Sequence, residues 1–594
     1  MKNTMRILSI GLVLVTTTFG SVMINVSARK TTNLNGKWHI IIDPYENGYY
    51  NYRYEPSTNG YFKNAQQQNR WDLLEYSFDT DEMLTVPGDW NSQQEKLLFY
   101  EGTIWYKKSF DYELPEKRRL FLYFGAVNYD AKVWLNGELL GGHEGGFTPF
   151  QFEITDRVWK KDNFIVVKAD NKRFKDAVPT VNTDWYNYGG ITRQVLLIET
   201  PESFVKDYFI QLKKNDRKIV AGWVKIDGNH LAQLIQIDIT ELGISERIMT
   251  DKAGFGRFEI IKEPVLWYPE NPKLYDVKIV TGDEIICDKI GFRTIETSKN
   301  EILLNGKSIF LKGISIHEEA AYQDGGRAFS ENHAKVLLGW AKDLSCNFVR
   351  LAHYTHNEAM MKTADEIGLL VWAEIPVYWT ISWDNENTYQ NAENQLTEMI
   401  TRDKNRASVI LWSMANETPL SDMRFTFLSR LAAKARQLDD TRLITAAMER
   451  HYINKTTQMI DDPFGKIVDV LGCNAYIGWY DGLPEKCRTM TWQTVYDKPV
   501  IISEFGGGAL YGIHGDELTR WSEEYQANLY RENIAMFRKV DFIKGISPWI
   551  LKDFKSPRRH LPQIQDFWNR KGLVTDKGDK KQAWFVLKEF YNKK

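Results

Sequence analysis

Two apolar runs in the second half of the chain carry carboxylates at their ends: "VILWSMANE" closes on Asn416-Glu417, and "PVIISEF" holds Glu504. A carboxylate is costly beside a core, so two of them ending apolar runs form a candidate reacting pair. The chemistry such a pair suits is cleavage of a glycosidic bond. One carboxylic acid protonates the leaving oxygen, and the second carboxylate acts from the other side of the anomeric carbon. The negative charge of the second raises the proton affinity of the first and keeps it protonated until needed. Taken singly, either glutamate reads equally well as a helix cap or as the partner of a nearby arginine.

A third group lies in "WNRKG", Trp568 to Gly572, which supplies Asn569 and Lys571. An ammonium beside an amide N–H₂ offers the cation and the donor that a carboxylate ligand requires. The pattern alone carries no weight, because Arg558, Arg559, Arg570, Lys577, Lys580 and Lys581 make the whole region basic.

These residues need elements to bring them together. After Glu301, eight continuous apolar runs alternate with helical segments: "SIFLKGIS", "NFVRLAH", "LLVWAEI", "VILWSMANE", "RLITAAM", "VDVLGCNAY", "PVIISEF" and "IKGISPWIL". Continuous apolar runs are what a parallel strand covered on both faces requires. Ser330 is placed to cap the helix of "SENHAKVLLGWAKDL", and Gly368 to end that of "HNEAMMKTADEIG". Eight such units over about 290 residues predict a (β/α)8 TIM barrel, whose chemistry sits at the C-terminal ends of its strands. Glu417 ends the fourth run and Glu504 the seventh, so both face one mouth. "NRK" follows the eighth run, where a loop reaches the same mouth.

Upstream the pattern is period-two alternation, as in "TIWYKKSFDY", "RRLFLYFGAV" and "AKVWLNGELL", which predicts a β-sandwich. A second set of strands over about a hundred residues has the length of an immunoglobulin-like sandwich. The boundaries expected are 1-28 for an export signal, 29-200 and 201-297 for the two sandwiches, and 298-594 for the barrel.

The rest of the composition bounds the answer. With 594 residues the chain exceeds one core. A net charge of −2 and a pI near 6.6 give no field for a nucleic-acid backbone. Aromatics reach 13%, with 20 Trp, which fits large cores or surfaces that stack on sugar rings. The four cysteines, Cys287, Cys346, Cys473 and Cys487, have no metal spacing and are too few for a disulfide framework. No metal cluster, phosphate loop or redox motif competes with the carboxylate pair. Lys2 and Arg6 before an apolar stretch, with "VSA" ending at Ala28, predict a cleaved export signal, hence a periplasmic or extracellular protein free of the membrane after cleavage.

The phrases "LWYPENPKLYDVKI", "GFRTIE", "LLNGKSIFLKGISIHEE", "NFVRLAHYTHNEAMMKTADEIGLLVWAEIP", "RDKNRASVILWSMANE" and "PVIISEFG" resemble, in order, the core motifs of glycoside hydrolase family 2. The resemblance spans the whole mature length, and among members of that family it is nearest the bacterial β-glucuronidases. It implies a jelly-roll-like sugar-binding sandwich, an immunoglobulin-like sandwich and a catalytic barrel. It further implies a retaining, exo-acting mechanism without a cofactor, with Glu417 as acid/base, Glu504 as nucleophile and Asn416 on the sugar 2-hydroxyl. "NRK" resembles the Asn-x-Lys signature by which β-glucuronidases hold the substrate carboxylate, which gives that role to Asn569 and Lys571. By the same resemblance Tyr476 bonds the nucleophile, Tyr480 helps hold the carboxylate, Trp549 walls the sugar subsite, and His317 and Asp184 touch the sugar.

Galactose-, galacturonate- and glucuronate-specific members share the catalytic pair, so a β-galactosidase or β-galacturonidase stays open, and a non-catalytic carbohydrate-binding protein is the remote alternative. The segment from "EIPVYW" to "RDKNRAS" is short, which implies an open site suited to oligosaccharides, while "KSPRRHLPQIQDFW" is long, and its Arg558 and Arg559 are placed either to contact an acidic substrate or to brace the loop. The partner expected is a carbohydrate, and a homo-oligomer is compatible with the sequence.

Overall fold

The structure, a computed structural model, describes residues 22–56, 69–72, 74, 76–214, 216–322 and 325–593. Most of the expected export signal, residues 1–21, lies outside that range. Of its last residues, Val22, Met23 and Val26 are buried against Phe121, Tyr123, Leu196, Ile198 and Phe204.

The first sandwich pairs a six-stranded sheet with a four-stranded one. Its core is filled by Trp38, Trp90, Tyr106, Leu122, Phe124 and Val167, among others. The second sandwich packs three strands on four. Alternation there is legible residue by residue: in Tyr275–Thr281 the side chains of Tyr275, Val277, Ile279 and Thr281 point into the core while Asp276 and Lys278 face water. Antiparallel pairing with Glu284–Ile290 follows through a tight turn at Gly282, whose φ of 48° favours a residue without a Cβ.

In the barrel the eight expected runs are the eight strands. The first, β1, is split at Gly313 into Leu311–Lys312 and Ser315–Ile316. Then come β2 (Phe348–Leu351), β3 (Leu370–Glu374), β4 (Val409–Asn416), β5 (Leu443–Met448), β6 (Leu471–Asn474), β7 (Val500–Glu504) and β8 (Ile543–Ile546). All neighbours pair in parallel. One half of β1 pairs with β8 and the other with β2, which closes the ring. A Cβ at Gly313 would lie 2.6 Å from the Phe348 ring, so the split needs glycine. Every residue of β4 is buried, as expected of a strand covered on both faces.

Helix α1 (Glu331–Asp343) is capped by the Ser330 side chain, which accepts from the His333 N–H, and α2 (Glu358–Ile367) stops at Gly368 in the left-handed region. Helices α3 (Glu386–Asp403), α4 (Asp422–Leu438), α5 (Glu523–Phe537) and α6 (Gln582–Lys593) follow β3, β4, β7 and β8. After β5 and β6 the helix is replaced by short 3₁₀ turns, Pro463–Lys466 and Pro484–Thr489, beside a small three-stranded sheet. Both turns open on a proline, which favours a first helical turn but supplies no N–H.

The first sandwich contributes directly to the barrel mouth. Its loop between Asp170 and Val195 is fastened there by buried polar bonds: Arg193 donates to Glu318 at 2.9 Å and to the Thr355 carbonyl at 2.8 Å, and Gln395 donates to the Val178 carbonyl at 2.7 Å. A buried ion pair contributes little net stability but is costly to break, so it fixes this loop in one place. The four cysteines are free thiols, and no described helix is long and apolar enough to cross a membrane.

Candidate active site

Glu504, the last residue of β7, is buried at the mouth of the barrel. One carboxylate oxygen accepts from Arg350 Nη1 at 2.7 Å, and the other accepts from the Tyr476 hydroxyl at 2.6 Å. Burial pushes its carboxyl above the ordinary range, Arg350 and His353 pull the other way, and the charge of Glu417 adds to the rise. Tyr476 keeps its proton, because burial and the Glu504 charge hold its phenol well above the usual value, so it is the donor in this bond.

Arg350, on β2, is fully buried and is the hub of the site. Besides Glu504 it donates to both oxygens of Glu374 at the end of β3, at 3.2 and 3.1 Å, and to Asn416 Oδ1 at the end of β4, at 2.7 Å. Burial alone would drive the guanidinium toward neutrality, but Glu374 and Glu504 outweigh it and hold its pKa above the ordinary value. Burial likewise opposes ionisation of Glu374, and Arg350 with His353 outweighs it, leaving that carboxyl below its usual range. One rigid fork thus fixes three strand ends relative to each other.

The Asn416 side chain accepts from Arg350 through its oxygen, which turns its amide nitrogen into the site; that nitrogen is buried with no protein partner. His317, just past β1, shows the same feature: Nδ1 lies 3.1 Å from the Tyr354 hydroxyl, while Nε2 is buried and unpartnered. Burial, with His353 and His356 nearby, holds the His317 imidazole well below its ordinary value, so the ring is neutral. Buried polar atoms without partners cost about 1–3 kcal/mol each. Two such atoms lie beside the carboxylate pair. Trp549 lies stacked on His353 at 4.6 Å and edge-on to His317 at 5.1 Å.

Glu417 follows β4 in the left-handed region, φ 47°, a conformation costing about 1–2 kcal/mol for a residue with a side chain. Its carboxylate accepts from the indole N–H of Trp379 at 2.9 Å. Trp379 reaches it because the chain after β3 runs beside the end of β4, with the Trp379 N–H on the Asn416 carbonyl and the Asn416 N–H on that of Val377.

On the other flank, Phe554–Lys555 and Trp568–Asn569 form a two-stranded ribbon that carries the long loop between them. Lys571 follows it and is only 4% exposed. Its ammonium donates to the Tyr480 hydroxyl at 2.8 Å and lies over the rings of Tyr476, Tyr480 and Trp479 at 5.7, 5.0 and 5.9 Å. Among the described residues no carboxylate pairs with it. The Tyr480 ring is largely exposed; shielding around its hydroxyl pushes the phenol up, yet Lys571 and then Arg559 outweigh that and leave it below its ordinary value. Asn569 is buried alongside, its oxygen accepting the Lys571 N–H at 3.2 Å and its amide nitrogen 3.4 Å from Asp184. Asp184, from the sandwich loop, also accepts from Ser556 at 2.6 Å and forms an ion pair with Arg559.

All ten residues singled out in the sequence thus lie at one mouth. Arg350, Glu374, His353, Trp379 and Arg559 were not among them. Arg350 and Glu374 could have been found by reading the ends of every apolar run, since "FVRL" and "VWAE" each carry a charge there. The Arg559–Asp184 pair joins residues 375 apart and has no local signal. Among the described residues no group of three His, Cys, Asp or Glu side chains could hold a metal ion.

Comparison with known proteins agrees with this geometry. Residues 32–201 match the family model for the sugar binding domain of glycosyl hydrolases family 2, residues 203–293 match the model named for glycosyl hydrolases family 2 itself, and residues 295–594 match that family's TIM barrel domain. A putative β-glucuronidase of Formosa agariphila is 29% identical over 568 residues, covering 86% of this chain and 67% of the relative. The β-glucuronidase of Rattus norvegicus is 28% identical over 605 residues, covering 92% of this chain and 90% of its own. Among solved structures, a β-glucuronidase from an uncultured Clostridium superposes with a TM-score of 0.80 at 26% identity, covering 96% of this chain and 98% of that one. With three successive domain matches and a carboxylate pair at the strand ends of its barrel, the chain belongs to glycosyl hydrolases family 2 and is a glycoside hydrolase.

Proposed function

We propose that the chain is an exo-acting, retaining β-glucuronidase that removes a terminal β-D-glucuronic acid from glucuronides or oligosaccharides. The observation that carries this reading is Lys571: a buried cation whose polar partner is the Tyr480 hydroxyl, beside the Asn569 amide and without a carboxylate among the described residues. An unpaired buried charge is costly. A uronate at C6 supplies the missing anion, whereas a hydroxymethyl group does not. The relatives named β-glucuronidase support the same substrate.

The steps follow from the side chains. Glu504 attacks the anomeric carbon while Glu417 gives its proton to the departing glycosidic oxygen, leaving a glucuronyl ester on Glu504. Arg350 and Tyr476 hold the attacking oxygens in place. Glu417 then takes a proton from water, which attacks the same carbon, releases glucuronate and restores both carboxyl groups. The free donor of Asn416 is offered to the 2-hydroxyl, a bond that strengthens as the transition state forms. Hydrolysis of matched chromogenic β-D-glucuronide, β-D-galacturonide and β-D-galactoside tests the reading; fastest cleavage of the galactoside would overturn it.

The enzyme is further proposed to be exported, with the leader cut before Val22 rather than after Ala28. The support is packing: the Ile24 N–H bonds the Lys206 carbonyl, Asn25 donates to the Tyr208 hydroxyl at 2.9 Å, and Lys362 donates to Ser27 at 3.0 Å, so this stretch ties both sandwiches to the barrel. N-terminal sequencing of the secreted protein should start at or before Val22; a start at Arg29 would refute the placement.

A further inference from the structure

The consecutive arginines of the long loop after β8 meet different fates. The charge of Arg559 is taken up by Asp184. Arg558 is exposed, and among the described residues no carboxylate lies within ion-pair distance of it. It is nevertheless held in place: its guanidinium stands 5.2 Å from the centroid of the Trp379 ring, and one of its nitrogens donates to the side-chain oxygen of Asn182 on the sandwich loop. A neutral acceptor and an indole fix the group while leaving its charge and most of its five N–H donors unspent.

The position of this cation is set by the chemistry beneath it. Trp379 donates its indole N–H to Glu417 at 2.9 Å. Glu417 is the acid that protonates the leaving oxygen, so whatever lies on Trp379 lies on the leaving-group side. Arg558 therefore stands against the same indole that donates to Glu417.

We propose that Arg558, seated on Trp379 and bonded to Asn182, forms the subsite for the sugar next to the scissile bond, and that it selects a sugar bearing an anionic group, a sulfate ester or a carboxylate. The inference rests on the uronide reading of the inner site and specifies the substrate beyond it. A guanidinium suits either anion, since both present paired oxygens to its fork. It also makes small neutral aglycones poor users of the site.

The test uses three disaccharides with the same terminal β-D-glucuronate and linkage, in which the second sugar is an unsubstituted hexose, its sulfate ester or the corresponding uronate. Release of glucuronate is followed as kcat/KM for the wild type, Arg558→Ala and Arg558→Lys. The wild type should favour at least one anionic substrate over the neutral one by about tenfold at low ionic strength, and half-molar salt should shrink that ratio. Arg558→Ala should bring the ratio close to one, and Arg558→Lys should keep part of it. The ratio is taken within one preparation, so partial loss of folded enzyme does not alter it. Preference for the sulfated or for the carboxylated disaccharide tells which anion is read. A wild-type ratio near one, or a ratio unchanged in Arg558→Ala, overturns the inference and leaves the glucuronidase reading standing. Failure to release glucuronate from all three disaccharides and from an aryl glucuronide as well overturns that reading and this inference with it.

Discussion

Replacing Lys571 with methionine removes the cation while keeping the bulk. The side chain is packed against the rings of Tyr476, Tyr480 and Trp479, and a thioether contacts aromatic edges favourably, so the site should hold its shape. Truncating one member of a buried, hydrogen-bonded charge pair costs about 2–5 kcal/mol. The substrate carboxylate would keep the Asn569 amide but lose the charge, so a middle value of about 3 kcal/mol is expected, or roughly a hundredfold in kcat/KM. A β-D-galactoside has no anion to lose and should change by no more than about threefold, the scale of a local repacking. The assay is kcat/KM on matched chromogenic glucuronide, galacturonide and galactoside, with circular dichroism to confirm the fold. A selective fall on both uronides supports the clamp. Equal loss on all three sugars, or no loss on any, would refute the reasoning and make Lys571 a packing residue.

Other outcomes follow from the same contacts. Glu504→Gln should lower kcat on any good substrate by at least roughly 10⁴-fold, as removal of a nucleophile does; a rate within tenfold of wild type would mean that another group attacks, and a rapid-quench search for a glycosyl-enzyme separates the cases. Arg350→Lys cannot span Glu374, Glu504 and Asn416 together. It withdraws part of what holds the Glu504 carboxyl down, so that carboxyl titrates at higher pH. Activity needs Glu504 ionised, so the acidic limb of the kcat/KM profile should move upward in pH, and an unmoved or downward-shifted limb would contradict the hub. His317→Ala removes a neutral ring whose Nε2 has no protein partner, so it should weaken substrate binding yet leave both limbs of the profile in place; a displaced limb would mean that His317 titrates with the reaction.

What the sequence reveals and what it hides divide along a physical line. Glu417 and Glu504 are legible because a doubly covered strand must be apolar throughout, so a carboxylate at its end stands out, and barrel topology then places every such end at one mouth. Ser330 and Gly368 are legible because helix ends need a specific acceptor and a specific backbone conformation. Lys571 is different: its residue type says nothing among so many lysines, and only resemblance singled it out before its burial was seen. Arg350 is legible as a charge near the end of its run, but what it does is hidden until the carboxylates that neutralise it arrive from β3 and β7. Trp379 and the Arg559–Asp184 pair are hidden because their partners meet only after folding. The helices missing after β5 and β6 were expected from the repeat, but proline-led 3₁₀ turns cover those strand pairs instead. Local rules therefore recover the groups that react, because reactive groups violate the local pattern. The groups that hold them satisfy each other at long range, and the same holds at the outer site: two adjacent arginines identical in sequence differ only in whether Asp184, on another domain, has already claimed the charge.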